Sequence, residues 1–522
     1  MKNRAITIVM LAVMAVSCSR TPASEVCAIA SWGDQGNGTF INPILAADYS
    51  DPDVIRYGDV YYMVASDFHF MGIQILKSAD LVNWELITRI YDRIEMPGYD
   101  TGERYGGGSW APTLRYHDGK FFVFFCTPGE GLFMTCATKP EGPWSKLLLV
   151  HEGTGRGWED PCPFWDEDGQ AYLGHSMVGA GPIILHKMSP DGTKLLDEGQ
   201  EVYRGPVAEG TKIHKLDGIY YFSIPEGGVA HGNQVVLRSK SLYGPFEKKV
   251  VLERGSTNIN GPHQGALVDT PEGEWWFYHF QDTGTLGRVV HLQPVHWADG
   301  WPVIGVDIDR NGIGEPVYCW KMPVSGTVPS KPASSDDFDS QELKPQWQFN
   351  HNPVDGGWSL SENPGTLTIH ALKADGFPKA RNTIGQKLMG YVGNVTVRMD
   401  VSDIAEGQYC GLAVMGNVNH TIGVRCADGQ KEFFRTSFGG ESPEALSEPF
   451  SGKAAWLRFT FDLHNDYFEL EYSADGKEFK SLGDKFEIHN GFWKGIRPAL
   501  FSYNTQQDAG SASFDDFTMK FN

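Results

Sequence analysis

The chain has 522 residues, 41% of them hydrophobic, 21% charged and 12% aromatic. That is too long for one ordinary core, and the aromatic excess, with many Gly and Pro, points to short strands and tight turns. A formal net charge of −21 excludes the basic face that nucleic acids and anionic membranes require.

The N-terminus reads as a targeting segment. Lys2 and Arg4 precede an apolar run, Ala5 to Val16, too short to span a bilayer. Ala15-Val16-Ser17-Cys18 has the form of a bacterial lipobox, which would make Cys18 the lipidated first residue. Ordinary secretory cleavage nearby is the alternative. The expectation is a signal peptide over 1–18, a tether over 19–40, and a lipid-anchored protein of the bacterial cell envelope, periplasmic or at the surface. That anchor would be its only contact with a membrane. The eight Cys include no CxxC. Cys126 and Cys136, and Cys410 and Cys426, are spaced to flank hairpin turns, but buried free thiols are the expected state.

From residue 41 a unit repeats. The turns Gly58-Asp59, Asp118-Gly119, Asp168-Gly169, Asp217-Gly218 and Glu272-Gly273 are followed by the apolar pairs Tyr61-Tyr62, Phe121-Phe122, Tyr172-Leu173, Tyr220-Tyr221 and Trp275-Trp276. The turns recur roughly every 50 to 60 residues, which suits one four-stranded propeller blade. Residues 41–321 are therefore expected to form a five-bladed β-propeller. Val324 to Asp336 is rich in Pro, Ser and small residues, and 322–336 is assigned as a linker. Beyond it the strand pattern resumes without the unit. Residues 337–522 are expected to form a jelly-roll (concanavalin-like) β-sandwich, making the chain all-β. Asp337-Phe338-Asp339 and Phe514-Asp515-Asp516-Phe517 open and close it, as neighbours in one sheet would.

Counting back from the turn acids locates candidate chemistry. Eight residues upstream lie Asp51, Trp110, Asp160 and Glu209, and in the fifth unit the offset of nine gives His263. First strands line a propeller's channel, so equivalent residues converge. Three converging carboxyl groups repel, and at least one pKa must rise. Glycoside hydrolysis needs one ionised carboxylate to activate water and one protonated carboxyl to protonate the leaving oxygen. Turn caps or metal ligands are the alternative reading of a lone acid. Asp307-Ile308-Asp309-Arg310-Asn311-Gly312 resembles the start of a calcium loop, but Tyr318 holds the place of its closing Glu, and it is assigned as a turn.

Asn42-Pro43, Ser50-Asp51-Pro52-Asp53-Val54-Ile55-Arg56, Ser78 to Trp84, Trp110-Ala111-Pro112, Trp158-Glu159-Asp160-Pro161 and Ala208-Glu209-Gly210 resemble, in order and spacing, the motifs of glycoside hydrolase family 43. The resemblance covers about Asn42 to Pro316, and the C-terminal region is similar to the accessory domain of its xylosidase and arabinofuranosidase members. It implies an inverting exo-hydrolase that releases terminal β-D-xylose or α-L-arabinofuranose from plant polysaccharides or oligosaccharides. Asp51 would be the general base, Glu209 the general acid and Asp160 the acid that tunes and orients it. Acid and base would stand roughly 6.5–9.5 Å apart. Trp110, Phe68, Arg288 and His263 are the implied sugar-binding residues. No cofactor is required; the resemblance implies a structural Ca²⁺ in the channel, with His263 beside it or its waters. The loop from Phe68 to Gly72 is shorter than the family's. An endo-acting arabinanase and a non-catalytic sugar-binding propeller are the alternatives.

Overall fold

A computed structural model describes residues 30–68, 71–100, 106–153, 155–439, 446–488 and 494–522. The expected signal peptide, with Lys2, Arg4 and Cys18, lies outside the described residues. Among the described residues no helix is long and apolar enough to cross a membrane.

Five sheets each hold four antiparallel strands in sequential order. Their innermost strands are Asp53–Tyr57, Trp110–His117, Trp158–Trp165, Lys212–Leu216 and Leu267–Asp269. Each is joined to the next strand by one of the repeated turns. In the second and fourth blades both turn residues are left-handed, Asp118 at φ 44° with Gly119 at 77°, and Asp217 at 50° with Gly218 at 74°. Such a two-residue turn matches the twist of the flanking strands, which is why Asp-Gly recurs. The strand after the turn is covered on both faces by neighbouring blades. Tyr61 with Tyr62, Phe121 with Phe122, and Tyr172 with Leu173 are accordingly all buried, giving pairs of large residues rather than alternation.

The expectation of five blades is corrected to six. A sixth, three-stranded sheet pairs Thr39–Ile41 with both Gly33–Asp34 and Cys319–Lys321. It sits at the seam between the first and fifth four-stranded blades. Phe40 packs its ring on Trp276 of the fifth, and Asp34 accepts a 2.8 Å hydrogen bond from Asn83 beside the first. The innermost strands of those two blades still meet directly, with Arg56 Nη2 2.6 Å from Asp269 Oδ2. The sixth sheet therefore clasps the ring from outside. Its strands come from the two ends of the region and carry no copy of the repeated turn, so the repeat could not reveal it. Two of them fall in the stretch expected to be a tether.

The C-terminal region is a sandwich of an eight-stranded and a seven-stranded sheet. Asp336 and Phe517 exchange two backbone hydrogen bonds of 2.9 Å, joining its first and last segments. All six described cysteines are free. Strand register explains this: Cys126 faces Leu132 and Cys136 faces Phe122, while Cys410 faces Val424 and Cys426 faces Lys431.

Propeller and sandwich share one hydrophobic cluster, in which Tyr49 and Met71 join Leu388, Met389 and Ile496. Within this apolar contact lies a polar knot. Arg497 Nη2 of the sandwich sits 2.7 Å from Asp67 Oδ1 of the propeller, both side chains almost fully buried, and Gln348 also bonds Asp67. Lys387 is buried against the Tyr49 ring. Arg497→Met removes the guanidinium and leaves a buried carboxylate without its ion pair. Urea titration is expected to show a loss of about 3–5 kcal/mol in unfolding free energy.

Candidate active site

Each innermost strand is entered through a left-handed residue: Asp51 at φ 54°, Ala111 at 40°, Asp160 at 57°, Gly210 at 60° and Gln264 at 54°. Pro52, Pro112, Pro161, Thr211 and Gly265 follow them. Strand pairing slips at the same place, between Trp110 and Thr113 in the second blade and between Glu159 and Cys162 in the third. These five residues are the structural equivalents. The count from the turns therefore lands on the left-handed residue for Asp51 and Asp160, and one residue early for Trp110, Glu209 and His263. The true counterparts of those three are Ser50 and Glu159. The reason is local: the chain between left-handed residue and turn acid is one residue shorter in the second and fourth blades, and in the fifth the offset of nine oversteps Gln264 by one.

Asp51 is buried and accepts from three groups. Ser50 Oγ donates at 2.9 Å and Arg288 Nη1 at 3.1 Å, and Ser66 Oγ also donates to it. Ser66 accepts in turn from Ala111 N at 2.7 Å. Arg288 is itself buried and bonds Ser50 Oγ at 2.9 Å, so its guanidinium is committed to the channel and is not a surface ion pair. Asp160 is equally enclosed. Its Oδ2 takes Gly210 N at 2.8 Å and Ser176 Oγ at 3.1 Å, and its Oδ1 takes Gln264 Nε2 at 3.0 Å. Asp53 belongs to a different cluster, with Arg115 Nη1 at 2.8 Å and Lys212 Nζ at 3.7 Å.

Glu209 stands beside Asp160, and a second glutamate joins them. Glu159, Asp160 and Glu209 bring carboxylate oxygens within 4.8 Å of one another, a donor set that could also hold a cation. Burial, then the Asp160 and Asp51 charges, push Glu209 up to about 8, with Arg288 opposing. Glu159 is pushed up to about 9 by burial and by Asp160, against the Ala180 N–H that it accepts at 2.8 Å. Burial and then the Asp51 charge raise Asp160 also, offset by Gly210 N–H, Lys212 and Ser176. The cluster thus retains protons at neutral pH.

Aromatic rings border the acids. Phe68 meets Trp110 edge to face at 5.5 Å, and Arg288 lies 4.6 Å from the Phe280 ring and 6.0 Å from the Phe68 ring. Phe68 is buried but belongs to none of the hydrophobic clusters of the blades. Its neighbours His69 and Phe70 lie outside the described residues. His263 is fully enclosed, held near 3 by burial and by the Arg288 charge, and among the described residues neither ring nitrogen has a side-chain hydrogen-bond partner. The Asp307 loop is a turn: its carboxylate accepts from Asn311 N at 3.0 Å and Gly312 N at 2.9 Å.

Sequence reasoning missed Ser66, Ser176, Gln264 and Glu159. Gln264 and Glu159 carried a signal, since each adjoins a residue chosen by the count. Ser176 lies on the second strand of its blade and Ser66 two residues past the end of Val60–Val64, where nothing in the unit marks them.

Residues 40–302 match the Glycosyl hydrolases family 43 profile, and residues 335–520 match the Beta xylosidase C-terminal Concanavalin A-like domain. The chain is 51% identical over 466 residues to the "Putative beta-xylosidase" of Xylanibacter ruminicola, covering 89% of this chain and 86% of that one. It is 38% identical to the "Beta-xylosidase" of Formosa agariphila, covering 96% and 94%. A solved structure, the bifunctional GH43-CE protein of Bacteroides eggerthii, superposes with a TM-score of 0.81 at 31% identity over 92% of this chain. This chain spans 63% of that longer protein.

Gly210 tests the local geometry. At φ 60° a side chain is strained, and a Cβ there would lie 2.7 Å from Pro225 Cγ and 3.0 Å from Gln264 Cδ. Gly210→Ala is expected to lower the unfolding free energy by at least about 1–2 kcal/mol, measured by denaturant titration.

Proposed function

The chain belongs to glycosyl hydrolases family 43, and from that premise we propose that it is an inverting, exo-acting β-xylosidase. It would release terminal β-D-xylose, and α-L-arabinofuranose where the same pocket admits it, from xylan-derived oligosaccharides. The observation that carries the reading is the asymmetry of the acids: Asp51 faces Arg288 and two hydroxyls, whereas Glu209 faces two carboxyls.

Glu209, protonated below about 8, gives its proton to the glycosidic oxygen as the bond from C1 breaks. Asp51 takes a proton from the water that attacks C1 on the opposite face, and the anomeric configuration inverts. Asp160 acts on Glu209 in two ways. It accepts the Gly210 N–H next to it, fixing the backbone, and its charge holds the proton on Glu209. Phe68 and Trp110 offer aromatic surface to the C–H face of the sugar, and Arg288 orients Asp51. A structural Ca²⁺ in the channel, touched by His263 through water, is part of the proposal. It rests on a neutral buried ring whose nitrogens bond no side chain among the described residues, and would supply order and positive charge but no chemical step. A sugar-binding propeller without catalysis would repeat its site in each blade. The equivalent positions here are Ser50, Trp110, Glu159, Glu209 and His263, and only two agree.

We extend the proposal to location: lipidation at Cys18 would tether the enzyme to the bacterial envelope. Cys18→Ala should abolish radiolabelled palmitate incorporation.

Catalysis has three expected signatures. Because ionised Glu209 has no proton to give, kcat/KM should fall as pH rises through about 8. Asp51→Asn should lower kcat/KM on aryl β-xylosides by about 10²–10⁴-fold without unfolding the protein. NMR of the first product should show α-xylose from a β-xyloside; initial release of the β-anomer would overturn inversion.

A further inference from the structure

Glu159 occupies in the third blade the place that Glu209 holds in the fourth, one residue before the left-handed entry to the innermost strand. Its described neighbours are closely packed. The preceding Trp158 is stacked between two histidine rings, 3.9 Å from His151 and 3.8 Å from His175. The Glu159 side chain is buried and accepts from Ala180 N at 2.8 Å, with the Gly179 backbone N–H also turned toward it. Ala180 lies in the turn Gly179-Ala180-Gly181, where all three residues are left-handed, at φ 83°, 71° and 57°. Arg156 holds the same turn from the other side, donating to Val178 O at 2.5 Å and Ala180 O at 3.0 Å. The turn packs on the backbone that carries Glu209: a Cβ built on Gly181 would stand only 3.3 Å from Ala208 O.

We propose that Glu159 is a positioning residue for the proton donor: by holding the Gly179–Gly181 turn against Ala208, it sets where the Glu209 carboxyl meets the leaving oxygen. This rests on the reading of Glu209 as the acid. The contact asks only for an oxygen acceptor at the end of a glutamate-length side chain. Glutamine supplies one, with Oε1 toward Ala180 N and its amide N–H toward the neighbouring carboxylates. Alanine supplies none, and aspartate is one methylene too short. Glu159 touches neither water nor sugar in this scheme. Its loss should weaken only the step in which the proton is transferred.

That step can be isolated by the leaving group. 2,4-Dinitrophenolate departs without a proton, whereas the sugar alcohol leaving from xylobiose requires one. Glu159→Ala and Glu159→Asp are expected to lower kcat on xylobiose by about tenfold or more and to leave kcat on 2,4-dinitrophenyl β-D-xyloside within about threefold of the parent. KM should change little on either substrate. Glu159→Gln should restore xylobiose turnover to within about threefold. Equal losses on both substrates would mean a general structural role and overturn the proposal, as would full activity in Glu159→Ala. Glu209→Gln is the reference. If it lacks the leaving-group dependence, the assignment of the acid fails; if it shows the dependence and the Glu159 variants do not, only the role of Glu159 fails.

Discussion

Several buried and half-buried carboxyl groups share one short stretch of channel, and two buried cations, Arg288 at Asp51 and Lys212 near Asp160, oppose them. Asp51, Glu159, Asp160 and Glu209 cannot all be charged there at neutral pH, because each raises the cost of ionising its neighbours. The surroundings decide who keeps a proton. Asp51 receives the arginine and two hydroxyls; Asp160 receives a backbone N–H, a hydroxyl and an amide. Among the described residues the Glu209 carboxyl accepts no hydrogen bond, and Glu159 accepts only from the backbone of the Gly179–Ala180 turn. The different roles proposed for these otherwise similar acids follow from this unequal supply of donors. That supply in turn depends on five chain entries at positive φ, which turn backbone and side-chain donors inward at the top of each innermost strand.

The fold was legible wherever the chain repeats itself. An Asp-Gly turn followed by two large residues reports two physical facts together: a left-handed hairpin turn, and a strand covered on both faces. Both recur because every four-stranded blade is packed the same way. The sixth sheet carries no such signal. Its strands are two and three residues long, drawn from before and after the repeats, and they are held at the seam between the first and fifth four-stranded blades. Pairing between the sandwich's ends was legible for a different reason: Asp337-Phe338-Asp339 and Phe514-Asp515-Asp516-Phe517 are alike, and Phe338 and Phe517 both pack on Trp347.

The site was legible to within one residue. Counting from the turns separates Asp51 from Asp53, and the structure shows why that matters: Asp53 is tied to Arg115 and Lys212, away from Arg288. The same count merges two classes, because it treats residues on the left-handed entry and residues just before it as equivalent. A bulge adds one residue to one strand and re-aims the side chains around it, so a fixed count crosses it unevenly. With the bulge in view, Asp51 and Asp160 are alike in backbone and differ in donors. Glu159 and Glu209 form the second like pair. Glu159, which the count passes over for Asp160, thus becomes the counterpart of the proposed acid.

The sandwich enters this chemistry through charge, although its strands lie outside the propeller. Asp67 stands between Ser66, which donates to Asp51, and Phe68, which meets Trp110. Its backbone exchanges hydrogen bonds of 3.0 and 3.1 Å with Ser109, the residue before Trp110. A buried carboxylate at that junction would repel Asp51 and strain the segment if left alone. Arg497 removes that penalty from across the domain boundary, and Ile496 N bonds Thr285 O at 3.0 Å on the stretch leading to Arg288. Both flanks of Asp51, the serine side and the arginine side, therefore lean on the same short segment of sandwich. A propeller stripped of that domain would keep its blades and its acids in sequence, but it would lose the counter-charge that lets Ser66 and Arg288 converge on one carboxylate.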